Sequence, residues 1–245
     1  MRATCLVVVL LVAASTAHAD GLFFKLPKDG TWATYQMDLA VKGGSQELRR
    51  KGTVRVASVG QVEENSQLCR WIEVLTEDRD VEKDVPPDSV VQPARKDVLK
   101  FLIPEKFLKQ GETPQDHVLR AWKGGLDGKP EKASGPWPFL VGPPKDAKHL
   151  DKVEVKSKLG KLMCEGVVGS LEIGTPGESK AQCVMENRLH GDAPFGVVST
   201  HWTSTIISVN KPKDGSVPQE NGKVELNLKL IDFGDKAVSE MPDAK

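Results

Sequence analysis

Residues 223–233, KVELNLKLIDF, place Val224, Leu226, Leu228 and Leu230 at every second position, with Lys223, Glu225, Asn227 and Lys229 between them. A strict period of two is the signature of an extended strand with one buried face. The same pattern runs through TWATYQMDLAV (31–41), where Ala33, Tyr35, Met37, Leu39 and Val41 share one side. Thr34, Gln36 and Asp38 share the other. Gly43-Gly44 follows, and ELRRKGTVRVASV (47–59) reads as the return strand. LCRWIEVLTE (68–77) is apolar on both sides, as expected of a central strand or one with a second covering layer. VEVKSKL (153–159), LMCEGVVGSLEI, AQCVMENRL and GVVSTHWTSTIISV extend the series to about eight or nine strands, mostly meandering. The expected fold class is mainly β (α+β). It is a large twisted antiparallel sheet, or incomplete β-barrel, with a few short helices on one side.

Those helices are expected between residues 93 and 123. QPARKDVLKFL runs to Pro104, and PEKFLKQ follows and closes at Gly111. TPQDHVLRAWKGG then offers Thr113 as N-cap, Pro114 at the first helical position and Gly124 just past the end. Val118, Leu119 and Trp122 fall on one face at helical spacing, which predicts packing on the sheet.

The first nineteen residues read as a signal peptide and not as part of the fold. Arg2 supplies the positive end, Leu6 to Ala14 a short apolar run, and Ala17-His18-Ala19 the small-x-small cleavage site. Cys5 precedes the apolar run, so it is not a lipid-attachment cysteine. The expectation is an exported chain, periplasmic or extracellular, beginning near Asp20, without a transmembrane segment after cleavage. Within it, 33 of the 34 Lys and Arg remain against 34 Asp and Glu. That balance carries none of the basic excess of a nucleic-acid binder. The Lys-rich KVEVKSKLGK (152–161) alternates with apolar residues and reads as the solvated face of a strand. Residues 20–245 read as one domain without repeats. The Pro/Gly-rich stretch 124–146 is the one candidate boundary, and its Trp137 and Phe139 argue for a loop packed on the body.

Chemistry is sparse. There is no Gly-x-Ser-x-Gly, no His-Glu-x-x-His and no Gly-rich strand-to-helix loop, so no catalytic residue and no cofactor is expected. Three cysteines follow the leader: Cys69, Cys164 and Cys183. Export permits a disulfide, with Cys164 and Cys183 as the candidate pair and three buried thiols as the alternative. His190 and His201 are the weak candidates for a metal. Neither they nor the cysteines have clip spacing, and a turn histidine and a strand-face histidine explain them more simply. His117 and His149 read as ordinary surface or capping residues. In HGDAPFGVVSTHW (190–202), Pro194 and Gly196 mark a turn at the entry to a strand. Parity then puts Val198, Trp202 and Ile206 on one face and Ser199, His201, Thr203 and Thr205 on the other.

GKLMC (160–164), followed by a hairpin and APFGVVSTHW, resembles exported bacterial proteins of the LolA/LolB-like group, similar to the periplasmic lipoprotein carrier. The likeness covers residues 153–209 and lies with secreted members of the group, not with the carrier itself. It implies an incomplete antiparallel barrel closed by short helices around a hydrophobic cavity for acyl chains. No cargo-binding residue matches individually, and fold likeness alone does not carry function. On this reading the chain is a non-enzymatic exported protein that binds a hydrophobic or lipid-like ligand. The candidate cavity residues are Tyr35, Met37, Leu39, Trp122, Phe195 and Trp202. The alternative is a structural or protein-interaction module of the cell envelope, without a ligand cavity.

Overall fold

The computed structural model describes residues 22–43, 46–81, 94–124, 129–135, 137, 140–142, 145–174, 180–207 and 220–241. The leader and Phe139 lie outside these residues. Eleven strands form one antiparallel sheet: β1 (Trp32–Gly43), β2 (Gln46–Glu64), β3 (Gln67–Asp80), β4 (Arg95–Pro104), β5 (Arg120–Gly124), β6 (Glu131–Lys132), β7 (Lys145–Ser157), β8 (Gly160–Gly174), β9 (Lys180–Leu189), β10 (Val197–Ile207) and β11 (Glu220–Gly234). Their order is β6-β5-β4-β3-β2-β1-β11-β10-β9-β8-β7. The chain meanders outward from β1 to β6, crosses to the far edge, and meanders back from β7 until β11 pairs with β1. The sheet is not closed into a barrel. It does curl: Lys158, in the β7–β8 turn, reaches Asp232 on β11 at 3.2 Å.

The alternation explains the strands directly. Ala33, Tyr35, Met37, Leu39 and Val41 on β1 are all buried, and so are Val224, Leu226, Leu228 and Leu230 on β11. Register sets them side by side: Tyr35 opposite Leu230, Met37 opposite Leu228, Leu39 opposite Leu226 and Val41 opposite Val224. A shift of one residue would turn every one of these side chains to water, so the pattern pins the seam between the two halves. Asn65 and Ser66, with φ of 51° and 58°, make the two-residue turn that matches the twist of β2 and β3. The edges are blunted in different ways. β6 is two residues long, whereas β7 has two register breaks and a row of lysines.

Helix content is the first correction. Residues 95–104 form strand β4, not a helix. Val98, Lys100 and Leu102 bury one face while Phe101 and Ile103 bury the other, so the run has no strand alternation to read. The second expected helix shrinks to a single 3-10 turn at Pro114–His117, with no side-chain cap from Thr113. Trp122 follows on strand β5, opposite Lys100 on one side and Lys132 on the other, and Gly124 ends that strand. A further 3-10 turn covers Glu105–Phe107. No helix among the described residues is long and apolar enough to cross a membrane.

The cysteines are the second correction: Cys69, Cys164 and Cys183 are all buried, and Cys164 and Cys183 stand too far apart for the candidate disulfide. Cys183 stands opposite Leu171, seven positions along β8 from Cys164. That is roughly 23 Å of strand, far beyond disulfide reach. Burial raises the pKa of the Cys69 and Cys164 thiols, which keeps them protonated and unreactive.

Candidate functional site

The inner face of the sheet carries one continuous apolar cluster. It includes Tyr35, Met37 and Leu39 from β1, Val54 and Val56 from β2, Ile72 and Val74 from β3, and Trp202 from β10. Described segments close this face at one end, where β1 begins and β4 ends. Leu22 and Phe23 enter the cluster from the N-terminal side, and the Phe23 ring meets Phe195 edge-on with centroids 5.5 Å apart. The amides of Phe24 and Lys25 both donate to the Phe195 carbonyl, at 3.0 and 3.2 Å. The crossover between β6 and β7 adds Leu140 and sets Trp137 against Phe101, at 5.0 Å and 70°. The Tyr35 hydroxyl donates to the Val197 carbonyl at 3.2 Å, and burial raises its pKa.

The APFG turn is therefore a plug. Gly196 has φ +82°, and a Cβ there would lie 2.9 Å from the Cβ of Phe24. Glycine satisfies both the left-handed backbone and the close approach of the N-terminal segment. His190 shapes the same turn. Its N–H donates to the Gly196 carbonyl at 3.0 Å, and its Nδ1 accepts from the Asp192 amide at 3.1 Å.

Toward the other end the inner face holds polar groups among its apolar ones. Arg50 on β2 is buried and bonds Asp80 at 3.1 Å, with Asp78 at 3.9 Å. The pKa of Asp78 is raised, chiefly by burial, with Arg50 opposing the shift. On β9 and β10, Asn187, Thr200 and Ser204 are buried beside Trp202. The Thr200 hydroxyl donates to Asn187 Oδ1 at 2.8 Å.

The outer face differs. Cross-strand register builds two polar rows, Asp38–Asn227–His201–Glu186 and Gln36–Lys229–Ser199–Arg188. They line an open groove of about 440 Å³. His201 Nδ1 lies 2.7 Å from Asn227 Oδ1, and the His201 side chain is exposed in the groove. Arg188 pairs with Glu186 at 2.5 Å and donates to the Asp151 carbonyl at 3.1 Å.

No protein-family model matches the chain, and no curated protein is similar to it.

Of the six candidate cavity residues, the structure gathers Tyr35, Met37, Leu39, Phe195 and Trp202 into the inner cluster. Trp122 is separated from them. It lies on the outer face with Trp71, Leu102, Val98 and Met241, because β5 is a strand and alternation turns its ring away from the interior. His190 and His201 do not share a site. His190 bonds Gly196, and His201 stands five residues further along, roughly 16 Å of extended chain. No group of three His, Cys, Asp or Glu among the described residues could hold a metal ion. Asn187, Thr200 and Ser204 were not foreseen on the inner face. Parity signals them: Asn187 alternates with Cys183, Met185 and Leu189, and Thr200 and Ser204 flank Trp202.

Proposed function

We infer that this protein is an exported, non-enzymatic binder of a hydrophobic, lipid-like ligand, with the curled sheet serving as an incomplete barrel. The observation that carries the reading is the extent of the apolar wall. It continues across β1, β11 and β10 through Leu39, Val41, Val224, Leu226 and Trp202, well past the end closed by Leu22, Phe23 and Phe195. Likeness to the LolA/LolB-like group over residues 153–209 supports the same reading. These wall residues are shut off from solvent in the structure, so a ligand enters only if the end of the sheet away from the Phe195 plug opens.

The test is saturable binding of a fluorescent alkyl probe to the delipidated protein, coupled to Leu226→Trp. The expected result is about one probe per chain for the wild type. In the variant the indole occupies the ligand's space, so it folds with near-normal stability and no longer binds. Absence of saturable binding, with Leu226→Trp destabilised by about 1–3 kcal/mol as in an overpacked core, would falsify the reading.

A further inference from the structure

The inner wall of β9 and β10 holds two buried N–H donors without a strong acceptor. Asn187, Thr200, Trp202 and Ser204 are each more than nine-tenths buried there. Thr200 satisfies Asn187 Oδ1, which leaves the amide nitrogen as the free end of that side chain. Its partner is the thioether of Met185 at 3.7 Å, a weak acceptor. The indole N–H of Trp202 has no acceptor at all among the described residues. Register makes the two donors diagonal neighbours. Met185 stands opposite Trp202, and Asn187 stands opposite Thr200, two positions on. Such a diagonal spans roughly 7–8 Å, within reach of side chains of this length.

Buried N–H groups nearly always have partners, and a buried indole usually finds one. Two neighbouring donors without a strong acceptor, in a wall they share with Thr200, Ser204, Met185, Leu226 and Leu228, call for a ligand atom that accepts. The charge of that atom is also constrained. The cation on the same register row, Arg50, is three strands away and is already held by Asp80 and Asp78. An ionised carboxylate beside Trp202 would be buried without a counter-charge, which is costly. A neutral carbonyl oxygen meets both conditions: it accepts hydrogen bonds and brings an apolar chain with it.

We propose that the inner face takes a neutral acyl ester or amide, its carbonyl oxygen accepting from Trp202 Nε1 and Asn187 Nδ2 and its chain lying on Leu226, Leu228 and Met37. This rests on the hydrophobic-ligand reading and narrows it to a chemical class. The delipidated protein, loaded with a fluorescent alkyl reporter at pH 8, is competed with three probes of equal chain length: hexadecane, methyl palmitate and palmitate. The ester should displace the reporter about tenfold more tightly than the hydrocarbon, the worth of one good buried hydrogen bond, with palmitate weaker than the ester. Trp202→Phe should bring the ester to within about threefold of hexadecane measured on the same variant, and Asn187→Leu should do so in part. Equal binding of ester and hydrocarbon by the wild type, or a preference for palmitate, overturns the carbonyl site while the hydrophobic-ligand reading stands. If the reporter itself does not bind saturably, both fall. The wild-type ranking decides the matter even where a variant fails to fold.

Discussion

The two flanks of this sheet bury themselves differently. On β3 and β4 both faces are covered. Ile72 and Phe101 join the inner cluster, while Cys69, Trp71 and Leu102 form a second cluster outside. The C-terminal segment lies over that outer side. Buried Glu73 accepts from the Ser239 hydroxyl and from the amides of Glu240 and Met241, the latter two at 2.7 and 3.4 Å. Buried Lys100, 3.5 Å from Glu73, donates to the Met241 carbonyl at 2.7 Å. On β10 and β11 the described residues cover only the inner face, and the outer face carries the open polar groove around His201. One flank is a three-layer structure and the other a two-layer one, within a single sheet.

Adjacent residues test this contrast most directly. Trp71 and Ile72 lie on opposite faces of β3, as His201 and Trp202 do on β10. Truncation to alanine should cost about 3 kcal/mol or more at Trp71, Ile72 and Trp202, as large-to-small changes in packed cores do. His201→Ala should stay within about 0.5 kcal/mol. Urea denaturation of the four variants measures this. A cost at Trp71 as small as that at His201 would remove the outer layer from β3.

The same contrast governs how much of the fold was legible in the sequence. Strands with one wet face alternate, so β1, β10 and β11 could be placed, and the faces of Trp202 and His201 assigned, from parity alone. From Val98 onward β4 is covered on both faces, and a run such as VLKFLI then matches a helix as well as a strand. Trp122 was misplaced for the same reason. What covers β4 on its outer side is the Glu73–Lys100 pair with residues 239–241, contacts separated by up to 168 positions in the chain. No local pattern reports them. The candidate site was legible to a lesser degree: Tyr35, Met37, Leu39 and Trp202 follow from alternation, Phe195 sits in the APFG turn, and the donors beside Trp202 are visible only once β9 is in register.

Glu73 sharpens the comparison further. Glu73→Ala strips a buried lysine of its carboxylate and releases the C-terminal segment, which should cost about 3 kcal/mol. Replacing both Glu73 and Lys100 with leucine and methionine should recover most of that loss. Limited proteolysis adds a local readout, since the single variant should be cut after residue 234 well below its unfolding midpoint. If the single variant is uncut there, the segment is held by something other than this pair.

At the plug, Gly196→Ala combines a left-handed backbone with a contact against Phe24 and should cost about 1–3 kcal/mol. Gly160, also at positive φ but with nothing near its missing Cβ, should cost less, about 1 kcal/mol on conformation alone. The difference between the two variants, read from their denaturation midpoints, isolates the contribution of the N-terminal segment packed on the APFG turn. Equal losses would show that the segment gives way freely.

The smallest effect belongs to the polar end of the inner face, where Asp78 on β3 shares a register row with Gly52, Met37, Leu228 and Thr200. Burial raises its pKa above the ordinary 3.8, and Arg50 only partly opposes this. The folded protein therefore holds this proton more tightly than the unfolded chain does. That contribution is fully present below the ordinary carboxylate value and is lost as pH rises through the raised one. Ionised Asp78 is thus a net cost near neutrality, because one of its oxygens has no hydrogen-bond partner and Arg50 is already served by Asp80. Asp78→Asn should match or exceed the wild type by up to about 1 kcal/mol at pH 7, with the gap closing toward pH 4. A variant that loses stability most at pH 7 would instead make Asp78 the partner that Arg50 requires. The inner face of the β3 flank would then hold a working ion pair, where the β10 flank holds donors without acceptors.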